Sequence, residues 1–388
     1  MSEAEQTLFL KLHGRAAEIL ASAPGRINII GEHTDYNNGY VLPAAIHLRN
    51  YFLASRRPDN EIHFWANNFS EMDIFSLGQL EPSSSKRWVN YIRGIFWALR
   101  EEGADLGGVD GLVWGDVPLE AGLSSSAALE VSVVKGLAEL FGLSIEPEKL
   151  ARLAQKAEHE FSGVKCGLMD QFVAVFGQKD SALFLDCETL AFDLIPLNLD
   201  KAGLEILVCD TRVRRELASS EYNKRREESA SALNALGKRG VRTFKETTLD
   251  LLDEAKPVME DINFRRARHV ISENQRVKAS AEALRKDDFT LLGRLLFQSH
   301  ESLRDDYEVS CQELDLVYKT AKEFTGCLGA RLVGAGFGGS ALALITKAKA
   351  EEFKSKLSAR AEERGFLRPE FHDISVGGGA CSERLLPI

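Results

Sequence analysis

The sequence holds no uninterrupted apolar run near the roughly 18 residues that a membrane span requires. Its six cysteines (Cys166, Cys187, Cys209, Cys311, Cys327 and Cys381) include no Cys-x-x-Cys pair. That excludes a zinc ribbon and favours reduced thiols over a disulfide framework. Met1 to Gly14 carries acidic Glu3 and Glu5 and lacks an apolar core of signal-peptide length. Positive charge is also short: 48 Lys and Arg stand against 58 Asp and Glu, a net charge of −10. A nucleic-acid binder is excluded, because counterion release needs a basic surface. No repeat, low-complexity segment or Walker A sequence occurs, so a solenoid and a P-loop fold are both unsupported. A soluble cytoplasmic protein is expected, with no membrane or nucleic-acid partner.

What is present is an ordinary globular composition over 388 residues, 44% hydrophobic and 27% charged, enough for two cored domains. The stretch from Ala45 to Ala66 alternates around Pro58, Asp59 and Asn60, which predicts a β-hairpin. Apolar stripes predict helices over Trp88–Arg100 and Ser126–Phe141, the latter apolar nearly all round and so buried. Pro147 opens another helix reaching about Phe161, and a short one spans Met169–Phe176. Strand-like Ala182–Leu185 and Leu204–Cys209 flank weakly periodic Cys187–Ala202, where a domain boundary is placed: 1–198 and 199–388. The second half is helix-rich from Glu221 to Phe324, with strands at Ala330–Val333 and Ala341–Ile345. Strands and helices interleave without regular alternation, so the expected class is α+β with two domains.

Four clusters carry chemistry. In Pro118-Leu119-Glu120-Ala121-Gly122-Leu123-Ser124-Ser125-Ser126, glycine and serines lead into a helix start, whose free N–H groups suit an anion such as phosphate. An ordinary serine cap is the plain alternative, though a cap needs one serine and not three. Gly334-Ala335-Gly336-Phe337-Gly338-Gly339 fits the dinucleotide pattern G-x-G-x-x-G, but that fingerprint needs a following helix and Ser340–Thr346 reads as a strand. Between glycine-flanked apolar runs, Glu32, His33, Thr34 and Asp35 crowd together, a density of donors and acceptors that suits sugar hydroxyls. A metal site lacks further histidines there, and a solvated turn is the bland reading. Glu158 and Asp170 complete the set. Asp170 sits in a helix's first turn, commonly just a dipole partner, although that position also keeps a carboxylate ionised.

Taken together these clusters resemble the galactokinase family. Gly25-Arg26-Ile27-Asn28-Ile29-Ile30-Gly31-Glu32-His33-Thr34-Asp35-Tyr36 is similar to its signature, and Gly122–Ala127 to the ATP motif of the wider superfamily of galactokinases, homoserine kinases, mevalonate kinases and phosphomevalonate kinases. Gly334–Gly339 resembles the superfamily's third motif. Cys166–Gln171, Ser220–Tyr222, Arg266–His269 and Ser299–Asp306 also match galactokinases in order. The resemblance implies two α+β domains, one like ribosomal protein S5 domain 2 and one ferredoxin-like, with the active site between them. It implies ATP, Mg²⁺ and galactose as ligands, and a monomer is expected. Glu32, His33, Thr34, Asp35, Gly167 and Tyr222 would line the sugar pocket. Glu120, Ala121, Gly122, Leu123, Ser124, Ser125 and Ser126 would cradle the ATP phosphates, with Trp88 and Tyr91 near adenine. Ser126 and Glu158 would hold Mg²⁺, and Asp170 with Arg26 would be catalytic.

Rivals are an N-acetylgalactosamine kinase, a non-catalytic sugar sensor and the hydride-transfer reading of the glycine cluster. A sensor should lack the serine loop or the aspartate, and this sequence keeps both. Two departures from the family pattern stand out: Ser340 where many relatives have cysteine, and Glu120 in place of a common glycine.

Overall fold

The computed structural model describes residues 3–214 and 218–386. Helix α1 (Glu3–His13) leads into strands β1 (Ile19–Asn28), β2 (Tyr40–Val41), β3 (Pro43–Arg57), β4 (Glu61–Ala66) and β5 (Glu71–Ser76). Helix α2 (Arg87–Glu101), strand β6 (Gly108–Gly115) and helices α3 (Ser125–Phe141), α4 (Pro147–Ala157) and α5 (Met169–Phe176) follow. A hairpin of β7 (Ser181–Asp186) and β8 (Phe192–Pro196) ends the first half. The second half begins with β9 (Leu204–Asp210), α6 (Ala218–Gly237), α7 (Leu249–Ala255), α8 (Asp261–Arg285), α9 (Phe289–Asp305) and α10 (Gln312–Lys322). It closes with β10 (Cys327–Leu332), β11 (Ser340–Thr346), α11 (Ala350–Glu363), β12 (Glu370–Ile374) and β13 (Cys381–Arg384).

Alternation along the strands decides the layers, because successive side chains face opposite sides of a sheet. In β3, Phe52 and Ala54 turn toward α2, α3 and α4, while Leu53 packs with Leu112 and Phe9 of α1. Phe52 stacks on Phe64 at 5.3 Å inside that core, where truncation to alanine costs about 3–5 kcal/mol. The six-stranded sheet has the order β13-β1-β3-β6-β4-β5. A second sheet, β10-β11-β9-β12, is antiparallel throughout, and β9, helices, β10, β11, α11 and β12 give the βαββαβ connectivity of a ferredoxin-like domain. In β9, Leu207 and Cys209 face the helices of the second half, whereas Ile206 and Val208 face Ile27, Leu42 and Leu123 of the first. One apolar core therefore runs across the two halves.

Three sequence expectations change. The hairpin expected over Ala45–Ala66 does not form: β6 lies between β3 and β4, antiparallel to one and parallel to the other. Turn residues at Pro58–Asn60 dictate a reversal but not direct pairing, and the glycines of β6 let it fit between, Gly111 lying under the Phe64 ring. The weakly periodic Cys187–Ala202 contains β8, paired with β7. The helix from Pro147 ends at Ala157 and continues as a π turn over Glu158–Ser162. The division expected at 198/199 falls between β8 and β9, and β13 crosses back to pair with β1.

Candidate active site

A cleft of about 1210 Å³ opens between the halves, lined from β1, the Gly31–Tyr36 loop, α2, the loop before α3, the loop before α5, and the glycine loop between β10 and β11. Its centre is an arginine–aspartate pair. Arg26 is buried on β1, and its Nε and Nη2 donate to Asp170 Oδ1 at 2.9 Å and Oδ2 at 3.1 Å. Ser124 Oγ also donates to Oδ2. Asp170 starts α5 and keeps 27% of its side chain exposed, so a carboxylate held on two sides still faces the cleft. A bidentate guanidinium is the strongest simple device for fixing such a group's orientation and charge.

Beside this pair stands the serine loop. Glu120, Gly122 and Ser124 all have left-handed backbone, with φ of 58°, 76° and 59°, and this coils the loop so that it ends on the first turn of α3. Arg26 fastens it from below: its backbone N–H donates to Leu123 O at 3.0 Å and its Nη1 to Gly122 O. The strand passes that close because residue 25 is glycine; a Cβ there would lie 2.6 Å from Leu123 O. Asn50 Nδ2 donates to Ser125 O at 2.8 Å. The result is a helix N-terminus aimed into a cleft, which binds anions through free N–H groups. Glu120, the departure from the family glycine, does not point its charge inward unopposed: its carboxylate is 3.8 Å from Arg214 Nε at the rim.

Ser126 Oγ and Glu158 Oε1 are 3.5 Å apart on the cleft wall. Burial and then the charge of Asp170 raise the Glu158 carboxyl to about 7. Behind it, Gln171 Nε2 donates to Glu158 at 2.8 Å and to Glu130 at 3.3 Å. Glu130 is fully buried, and lost hydration, then the charge of Glu158, pushes its carboxyl well above its ordinary value. Further along, Trp88 stacks on Phe69 at 6.0 Å, and Tyr91 lines the same end of the cleft. Flat aromatic walls of that kind suit a planar base.

At the opposite end lie the acidic and imidazole groups. Glu32 Oε1 accepts from Arg331 Nη2 at 2.6 Å and from the Gly334 N–H at 2.7 Å, which joins the first cluster of the sequence to its glycine cluster. His33 Nε2 lies 3.2 Å from Ala335 O, a carbonyl that can only accept. Nδ1 therefore accepts from the Tyr36 hydroxyl, 2.7 Å away, and Tyr36 is bonded in turn to Tyr307. Burial lowers the His33 pKa, so the ring is neutral. Tyr222 stands 5.8 Å from His33, ring to ring. Asp35 nests against Gly167, where a Cβ would collide with its carboxylate at 2.1 Å. Desolvation and then Asp170 raise Asp35 to about 7.

The sugar, phosphate, adenine, metal and catalytic residues that the resemblance implies all line this one cleft except Thr34 and Ala121, which are fully buried behind it, and of the glycine cluster only Gly334 and Ala335 reach it. The Thr34 hydroxyl sits 2.8 Å from Gly31 O and 2.7 Å from Tyr40 O, closing the loop from within. Sequence reasoning passed over Arg331, Asn50, Glu130 and Tyr307. Arg331 left a signal, a lone charge inside an apolar strand. The others are set by tertiary neighbours. The hydride-transfer reading falls, because β11 follows the glycines where a helix would be required.

Three family models match the chain: the galactokinase galactose-binding signature over residues 7–56, the GHMP kinases N terminal domain over 90–178 and the GHMP kinases C terminal over 280–363. A galactokinase of Roseiflexus sp. is 44% identical over 352 residues, covering 90% of this chain and 89% of its own. One from Pyrococcus furiosus is 42% identical over 354 residues, 89% and 96% of the two chains. The crystal structure of Lactococcus lactis galactokinase complexed with galactose superposes with a TM-score of 0.94 at 36% identity, covering 97% and 98%. A mevalonate kinase from Methanococcus jannaschii shares the fold, with a TM-score of 0.66 at 17% identity over 93% and 98% of the chains.

Proposed function

The chain belongs to the galactokinase family, a kinase that moves the γ-phosphoryl group of ATP onto the anomeric hydroxyl of galactose, and on that premise we propose how its cleft does so. One observation carries the assignment of roles. The Arg26–Asp170–Ser124 constellation stands where the acidic end of the cleft meets the anion-binding helix start. A hydroxyl in the first would face a phosphoryl group in the second.

Glu32, His33, Asp35 and Tyr222 bind the sugar. Neutral His33 has its Nε2–H turned to Ala335, so it orients the glycine loop as well as the pocket. Asp170 is the catalytic base. Each carboxylate oxygen has two acceptor sites, and Oδ1 uses one on Arg26, which leaves one for the sugar hydroxyl. Arg26 fixes the orientation of that carboxylate through both its oxygens and offsets charge on the sugar oxygen as its proton leaves. The N–H groups at the start of α3, with Ser124 and Ser125, take charge developing on the phosphoryl oxygens. Positioning and neutralisation of this kind supply most of the catalysis of phosphoryl transfer. Trp88 and Tyr91 flank the adenine.

Ser126 and Glu158 fit Mg²⁺, as hard oxygen donors side by side on the wall next to the anion site. The ion, when bound, neutralises phosphate charge. Gln171, itself held by Glu130, fixes the Glu158 carboxyl in place. The described cysteines are all free thiols, which supports a cytoplasmic setting, and among the described residues no helix is long and apolar enough to cross a membrane.

The test is coupled ADP release from ATP and Mg²⁺ with galactose, glucose, N-acetylgalactosamine and homoserine in parallel. Turnover with galactose is expected. Galactose binding without turnover of any of the four would instead make the protein a sensor.

A further inference from the structure

The segment Gly31–Tyr40 belongs by sequence to the first half, yet three of its backbone groups are bound by a single helix of the second. His269 Nε2 lies 3.1 Å from Glu32 O. Glu273 Oε1 accepts from the Gly31 N–H at 3.0 Å, and Asn274 Oδ1 from the Tyr40 N–H at 2.7 Å. Positions 269 and 273 are four apart and 274 adjoins them, so one side of α8 presents all three to the loop. From this juxtaposition we propose that His269, Glu273 and Asn274 are positioning residues for the acceptor sugar, setting the loop that carries Glu32, His33 and Asp35 before the sugar arrives. The inference rests on the assignment of that loop to the sugar.

The chemistry of the three groups is more specific than filling a gap would require. A helix face buried against a loop is ordinarily apolar, and Glu273 is a fully buried charge. Its ionised state is secured on every side. Arg276 Nε donates to Oε2 at 2.7 Å, and Ser299 Oγ to Oε1 at 2.6 Å beside the Gly31 N–H. Burial raises this carboxyl, but Arg276, followed by His269 and Arg331, more than offsets it and brings the value down to about 2. His269 is neutral, lowered to about 4 chiefly by burial. The Glu32 carbonyl can only accept, so the single ring proton sits on Nε2, and Nδ1 accepts from Ser302 Oγ at 2.9 Å. The loop thus meets an anion at its first N–H, a donor at the next carbonyl and an acceptor at its last N–H. Misplacing Glu32 or Asp35 by about an ångström would weaken every bond they make to sugar hydroxyls.

The experiment compares galactose KM, ATP KM, kcat and Tm for Glu273→Gln, His269→Ala, His269→Gln and His33→Ala. Glu273→Gln and His269→Ala should each raise galactose KM about tenfold, the effect of one charge-assisted or buried hydrogen bond, with ATP KM unchanged. His269→Gln puts an amide N–H where Nε2–H stood and should recover most of the loss. A merely structural role predicts a lower Tm with unchanged galactose KM, or equal rises for both substrates, and either result overturns the proposal. Glutamine performing no better than alanine at 269 overturns it too. Should Glu273→Gln not fold, the pair at 269 decides. His33→Ala separates the two levels. If it raises galactose KM and the α8 variants do not, only this inference fails; if none of them does, the sugar assignment fails with it.

Discussion

The two ends of the cleft are built by different means. At the sugar end each functional side chain has named partners: Glu32 has Arg331 and Gly334, His33 has Tyr36 and Ala335, and Asp35 rests on Gly167. At the phosphate end the work falls to backbone, a left-handed coil at Glu120, Gly122 and Ser124 that ends in a helix start. Under the proposed assignment the difference follows from the ligands. Phosphate presents the same charged oxygens in every nucleotide, so a ring of N–H groups suffices, whereas a hexose differs from its epimers only in where its hydroxyls point. Asp170 stands at the join and belongs to neither end.

The contrast can be broken in four ways. Asp170→Asn should have the largest effect, cutting kcat by about 100- to 10,000-fold while galactose binding, read by calorimetry, stays near normal. Near-normal turnover would remove Asp170 from the mechanism. Next, Ser126→Ala should raise the Mg²⁺ and ATP requirement about tenfold and leave galactose KM alone. Equal changes in both would show that the two ends are not separable.

The third test uses pH. Asp35 is raised from 3.8 to about 7, so the folded protein holds that proton more tightly than the unfolded chain does. Its contribution therefore makes stability fall as pH rises from about 4 to about 7, with no further change above. Asp35→Asn should flatten that part of the Tm profile, and an unaltered slope would mean that Asp35 does not carry the shift. Smallest of all, Glu120→Gly removes a side chain from left-handed backbone, and should gain about 1 kcal/mol in thermal or urea unfolding with little change in kcat. A clear loss of activity would instead give the Glu120–Arg214 contact a part in phosphate binding.

Much of this was legible in the sequence because the informative signals are local. A serine run before an apolar helix and a strand after Gly339 follow from propensity and periodicity within a dozen residues, whereas the π turn at Glu158 did not show. The α+β class and the crowding of Glu32, His33 and Asp35 were equally visible. What stayed hidden depends on contacts distant in the chain. Nothing near Pro58 says that β6 will separate β3 from β4. Residue 130 is one acid in an apolar helix until Gln171 joins it to Glu158. Thr34 looked like a ligand by adjacency alone, and the turn after Gly31 rotates it inward.

The return of β13 to β1 has a consequence for synthesis. Residues 381–384 cover the outer edge of the first sheet, bonding at Ile19, Leu20, Ala21 and Ser22. A nascent chain displays that edge, with its free N–H and C=O groups, until residues 381–384 leave the ribosome. Any product cut short of Cys381 would keep it open, a template for joining another copy, however complete its catalytic cleft.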